Sequence, residues 1–131
     1  MFNFLFLASA FIFLLMDYIY LTIIKDFFSK QIQKVQGSKL EVNFLGVAFC
    51  YIFLIFGINY FIIKPHKSVY EAFLLGLVIY GVYETTNYAL LKNWSILTVF
   101  IDTLWGGILF AVTTYIVNLL RENKKYLKSS E

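Results

Sequence analysis

Four long apolar runs, cut apart by lysines, leave this chain few folds to choose from. Crossing about 30 Å of hydrocarbon takes roughly 20 helical residues. Stretches 3–24, 44–63, 69–91 and 96–120 meet that length. Lys25-Asp26 closes the first, and Lys64-Pro65-His66-Lys67 separates the second from the third. Lys92-Asn93 closes the third, and Arg121 opens the polar tail "RENKKYLKSSE". Asn93 or Ser95 is placed to cap the fourth helix by accepting a free backbone N–H. None of the runs has the period-2 alternation of a barrel strand. A backbone in lipid must satisfy its own hydrogen bonds, which helices do. The expected fold is therefore all-α, an integral membrane four-helix bundle forming a single transmembrane domain over residues 1–131. Composition agrees: 60% of residues are hydrophobic, 15% are charged and the mean hydropathy is +0.74. Ordinary soluble domains carry about 25% charge. "ASA" at 8–10 looks like a signal-peptide cleavage site, but no basic residue precedes it and the apolar run continues to Ile24, so a retained helix is expected.

The longest connection, 25–43, reads "KDFFSKQIQKVQGSKLEVN". Phe27, Phe28, Ile32 and Val35 recur there at near-helical spacing among lysines and glutamines, which predicts an amphipathic segment lying at the interface between helices 1 and 2. With four spans, both termini and the second loop share a side. That side holds six basic residues, Lys64, Lys67, Arg121, Lys124, Lys125 and Lys128; the other holds five, Lys25, Lys30, Lys34, Lys39 and Lys92. The small excess favours cytoplasmic termini. A net charge of +3, with its basic residues beside the apolar runs, suits anionic headgroups rather than a nucleic-acid groove. The lipid bilayer is thus the first expected partner, with a homo-oligomer or a larger membrane complex the second. Lone Cys50 reads as a small packing residue, and His66, flanked by lysines, as solvated.

Three carboxyl groups interrupt the apolar runs. Asp17 lies eight residues before Lys25, Glu84 eight before Lys92, and Asp102 ten after Lys92. At 1.5 Å per residue, each sits on the order of 12 Å inside one boundary. Short loops make helices 3 and 4 antiparallel neighbours, so the acids converge if helix 1 packs beside them. Tyr80, Tyr83, Glu84, Asn87 and Leu91 form one helical stripe; Asp102, Trp105, Gly106, Leu109 and Thr113 form another, and Tyr20 is near one turn from Asp17. Hydroxyl, amide and indole groups at these positions can donate to carboxylates. A charge at mid-membrane costs about 2.5–3.5 kcal/mol. Three such residues therefore point to partners, water or an ion. Clustered carboxylates in low dielectric cannot all ionise, so a proton is shared or exchanged among them. The plainer reading is a set of protonated acids that pin the bundle by hydrogen bonds. Tyr88, Lys92 and Trp94 read first as interfacial anchors.

No zinc-type His/Cys cluster, P-loop, G-x-S-x-G, thiol pair or potassium-filter sequence is present, and no cofactor or metal is expected. The acid near the end of the first span, "KDFFSKQ", the "VN" opening the second, "YETTNYALLKNW" and "DTLWGG" together resemble the DUF2177 family of small predicted membrane proteins over nearly the whole chain. The resemblance implies four spans and no established activity. It places Asp17, Tyr83, Glu84, Thr86, Asn87, Trp94, Asp102, Trp105 and Gly106 on family motif positions. Where the family usually has Asp, Glu84 keeps the charge and lengthens the arm. The residues leave three readings open. One is transport of protons, cations or a small polar solute through a site of Asp17, Glu84, Asp102, Asn87, Tyr83, Tyr80, Thr86 and Trp105. A second is a membrane-embedded enzyme using the acids on a lipid or isoprenoid, and a third is a structural or assembly subunit.

Overall fold

Each helix starts at a residue able to accept the first free backbone N–H groups, and these caps divide the chain. The computed structural model describes residues 3–131. Asn3 caps α1 (Phe4–Gln36) through Phe6 N at 2.9 Å, and Asn43 caps α2 (Phe44–Ile58) through Gly46 N at 3.1 Å. Ser68 and Glu71 form a reciprocal capping box on α3 (Val69–Leu90). Ser95, rather than Asn93, caps α4 (Ile96–Ser129). Asn93 instead takes a left-handed φ of 63° in the turn before it. Between α2 and α3 the chain widens into a π-helical turn, Asn59–Ile63.

Two helices outrun the limits their charges suggest. Lys25-Asp26 does not end α1, and the expected interfacial segment between helices 1 and 2 is not a separate element. Residues 25–36 are the last turns of α1, and only 37–43 form a link. Likewise the polar tail from Arg121 continues α4 to Ser129. The reason is that lysine, glutamine and glutamate are good helix formers, and neither 25–36 nor 121–129 contains a glycine or proline. Charge ends a hydrophobic run; it does not end a helix. Gly37 does end α1, at φ 75°, with its N–H on Gln33 O at 2.9 Å. The extension is held because Gln31 is buried against the α3–α4 connection. Its Nε2 donates to Asn93 O at 2.7 Å, while its Oε1 accepts from Ser95 N at 3.0 Å.

α3 and α4 are antiparallel and packed to backbone contact. A Cβ built on Gly76 would lie 2.1 Å from Gly106 O, and one on Gly106 would lie 2.3 Å from Tyr80 Cγ. Only glycine permits this approach. α1 crosses α4 through Phe13, whose ring meets Phe110 edge-on at 5.5 Å. Phe13, Ile58, Leu109, Phe110 and Val117 are buried and form the centre of the core. α2 is peripheral: every residue from Phe44 to Cys50 is exposed, so Cys50 faces outward instead of packing inside. α1, α4 and the α2–π-turn unit Phe44–Ile63 are each long and apolar enough to cross a membrane. α3 has 22 residues, enough for a span, but its glutamates, tyrosines and Asn87 make it less apolar.

Candidate functional site

A carboxyl group in a low-dielectric interior needs donors, and aromatic side chains from three directions supply them. Asp17, nearly buried on α1, accepts from Trp105 Nε1 of α4 at 2.9 Å and from the Tyr51 hydroxyl of α2. One turn along α1, the Tyr20 hydroxyl donates to Asp102 Oδ1 at 3.1 Å. The Tyr20 and Trp105 rings stack at 4.4 Å with planes 10° apart. The two donors therefore brace each other while serving different acids. Glu84 of α3 has no exposed surface, and its Oε2 accepts from Trp94 Nε1 at 2.8 Å. Glu84 Oε1 is buried with no hydrogen-bond partner, and Asp102 is the neighbouring carboxyl group. Two carboxyl groups can bond to each other only if one of them carries a proton.

These contacts join all four helices in one chain of polar groups: Tyr51, Asp17, Trp105 and Tyr20, then Asp102, Glu84 and Trp94. Asp17, Glu84, Asp102 and Trp105 are brought together. Tyr80 is half-buried and packs flat against Gly106, within the electrostatic reach of Asp17 and Asp102. Tyr83 is 53% exposed and lies against half-buried Asn87, and Thr86 is exposed. Thr86 thus sits on the outer face of α3, while Tyr83 and Asn87 lie at the rim, Tyr83 still within electrostatic reach of Glu84 and Asp102. Trp94, expected as an interfacial anchor, is buried, with its ring against Phe28 of the α1 extension. His66, expected to be solvated, is exposed but holds a contact of 2.9 Å from its Nδ1 to Arg121.

Tyr51 and Trp94 are the members that the sequence stripes leave out. A signal for Tyr51 was present, since it lies eight residues after Asn43, matching the depth of Asp17 before Lys25. Among the described residues, no three His, Cys, Asp or Glu side chains gather closely enough to share one metal ion. The arrangement instead pairs carboxyl groups with neutral donors and with each other, which suits holding and exchanging protons.

No curated protein and no solved structure matches the chain. The family described as "Predicted membrane protein (DUF2177)" matches residues 2–119, a span that takes in every member of the carboxyl chain. With its long apolar helices, this is a multi-pass integral membrane protein, and it belongs to the DUF2177 family.

Proposed function

We propose that the protein exchanges protons within the membrane through the Glu84–Asp102 pair, as a transport component. The observation that carries this reading is the wholly buried Glu84, with one oxygen on an indole, the other without a donor, and the Asp102 carboxyl as its neighbour. Such a pair holds one proton in common and releases it when either partner is rehydrated. The Tyr20 hydroxyl, on Asp102, is the nearest group able to pass a proton onward. Asp17, with its own two donors, completes the polar layer and keeps Trp105 and Tyr20 in place. Carboxyls divided between separate donor sets favour a proton over a shared metal cation. A pathway through the whole membrane then requires a second copy or a larger partner.

The test is proton flux in proteoliposomes under an imposed potential. Glu84→Gln and Asp102→Asn should abolish flux while the protein still melts as a folded bundle. Flux equal to that of the unaltered protein overturns the reading.

A second reading, acid–base chemistry on a lipid, is favoured by one feature. An outward-facing apolar groove of about 480 Å³ between α1 and α2 is lined by Leu14, Tyr18, Val47, Tyr51 and others. The Tyr51 hydroxyl donates to Asp17, so a chain entering from the bilayer would reach the network there. Turnover of vesicle lipids by the same preparation, lost in Asp17→Asn, distinguishes this from transport.

A further inference from the structure

At the other end of the bundle, cations border an open space that no acid lines among the described residues. Arg121 lies 19 residues along α4 from Asp102, about 28 Å at the helical rise. Between the start of α1, the π-helical turn and α4 is a pocket of about 430 Å³. Leu5, Phe56 and Tyr60 contribute apolar walls, and Asn59, Lys64 and Arg121 contribute polar ones. The π turn helps to shape the pocket, since Asn59 turns inward to Ser9 Oγ at 2.9 Å and Tyr60 is left 53% exposed.

Arg121 is half-buried. Its Nη2 donates to Ile63 O at 2.8 Å, and its Nη1 serves His66 Nδ1 at 2.9 Å and Asn118 Oδ1 at 3.4 Å. A guanidinium has five N–H groups, so donors remain after these contacts. Among the described residues the ion pair is Lys67–Glu71, and no carboxylate meets Arg121 or Lys64. Lys64 Nζ instead hangs over the Tyr60 ring, 5.8 Å from its centre. A partly desolvated cation without a counter-charge is costly. Lys67, Lys124, Lys125 and Lys128 lie on the same side, against Glu71, Glu122 and Glu131, so that side stays net positive.

The ligand that answers both halves of this pocket has an anionic head and a hydrocarbon tail. We propose that the pocket binds one anionic phospholipid, with its phosphate between Arg121 and Lys64 and an acyl chain along Phe56, Tyr60 and Leu5. Zwitterionic lipid brings its own cation to the same place and is disfavoured. Inorganic phosphate matches the head but leaves the apolar walls uncovered. The walls and their depth within the helix ends therefore commit the site to lipid.

The full chain, purified in a neutral detergent, tests this by native mass spectrometry and thermal melting. The probes are phosphatidylglycerol, phosphatidylcholine and inorganic phosphate. Phosphatidylglycerol should bind one-to-one and raise the melting temperature, while the other two do neither. Lys64→Gln and Arg121→Gln should each weaken binding roughly fivefold, the equivalent of about 1 kcal/mol per basic residue at a lipid surface. Leu5→Trp should weaken it by filling the apolar end. Arg121 also holds the Ile63 carbonyl, so if Arg121→Gln does not fold, Lys64→Gln and Leu5→Trp decide the matter. Equal binding of phosphatidylcholine, an effect of phosphate alone matching that of the lipid, or unchanged affinity in Lys64→Gln overturns the proposal. Proton flux plays no part in this readout, so the pocket stands or falls apart from the Glu84–Asp102 reading.

Discussion

Glu84 shows how one buried side chain can depend on a single donor. Its Oε2 has the Trp94 indole, while its Oε1 is buried with no partner. Trp94→Phe keeps most of the ring volume and removes the N–H. Leaving a buried acceptor without its partner costs about 1–3 kcal/mol, so the variant should melt several degrees lower in detergent. An unchanged melting curve would mean that Glu84 finds its stabilisation elsewhere. The three acids were legible in the sequence because a charge in an apolar run stands out. Tyr51 was marked only by its depth, and one of ten tyrosines in a chain that is 21% aromatic does not stand out. Helical angle accounts for the outward residues. At 100° per position, Tyr83 is a quarter-turn from Glu84 and Thr86 is almost opposite, so a stripe drawn through spacing alone was too wide. Asn87 falls closer to Glu84 and is correspondingly half-buried.

Among the elements, the α3–α4 hairpin is the most tightly defined. The close approach of Gly76 and Gly106 sets the two helices in a register that leaves Glu84 facing Asp102. In Gly76→Ala the new methyl would meet a carbonyl oxygen of the neighbouring backbone, which cannot rotate away. Overpacking of this kind costs about 1–3 kcal/mol. The variant should also shift Glu84 against Asp102, so loss of stability and loss of proton flux are expected together. Normal melting with normal flux would show that the register is set elsewhere. The short connection made this hairpin readable beforehand. The ends of α1 and α4 were misread because hydropathy reports where lipid stops, whereas a helix stops at Gly37 or at the end of the chain's good helix formers. Gln31 is equally hidden in sequence, because burying a glutamine makes sense only once the loop carrying Asn93 and Ser95 is beside it.

The molecule as a whole is a firm α1–α3–α4 body that α2 joins through its second half, at Leu54 and Ile58. From Phe44 to Cys50, α2 shows every side chain to its surroundings. Lipid tails tolerate this, since they solvate an apolar helix as well as another helix does. A proton pathway made by more than one chain, as proposed above, would need such an uncovered face. Gentle-detergent extraction followed by native mass should give a small, discrete homo-oligomer, and migration only as a lone chain would leave the transport reading without its second half. Co-migration with a much larger assembly would favour a subunit role. Membrane residence and helical class were legible from the apolar runs alone. The peripheral place of α2 was not, because nothing in an all-apolar run says which of its faces a neighbour will cover.

The overrun of α1 has a mechanical consequence. At 1.5 Å per residue its 33 residues make a rod of about 50 Å, well beyond what the hydrocarbon layer can enclose. The protruding end is riveted through Gln31 to the loop that seats the Trp94 ring. A push or pull on that stub, outside the bilayer, is therefore delivered by the Gln31 amide and the Phe28 ring to the indole that steadies Glu84, as a lever delivers force across its fulcrum.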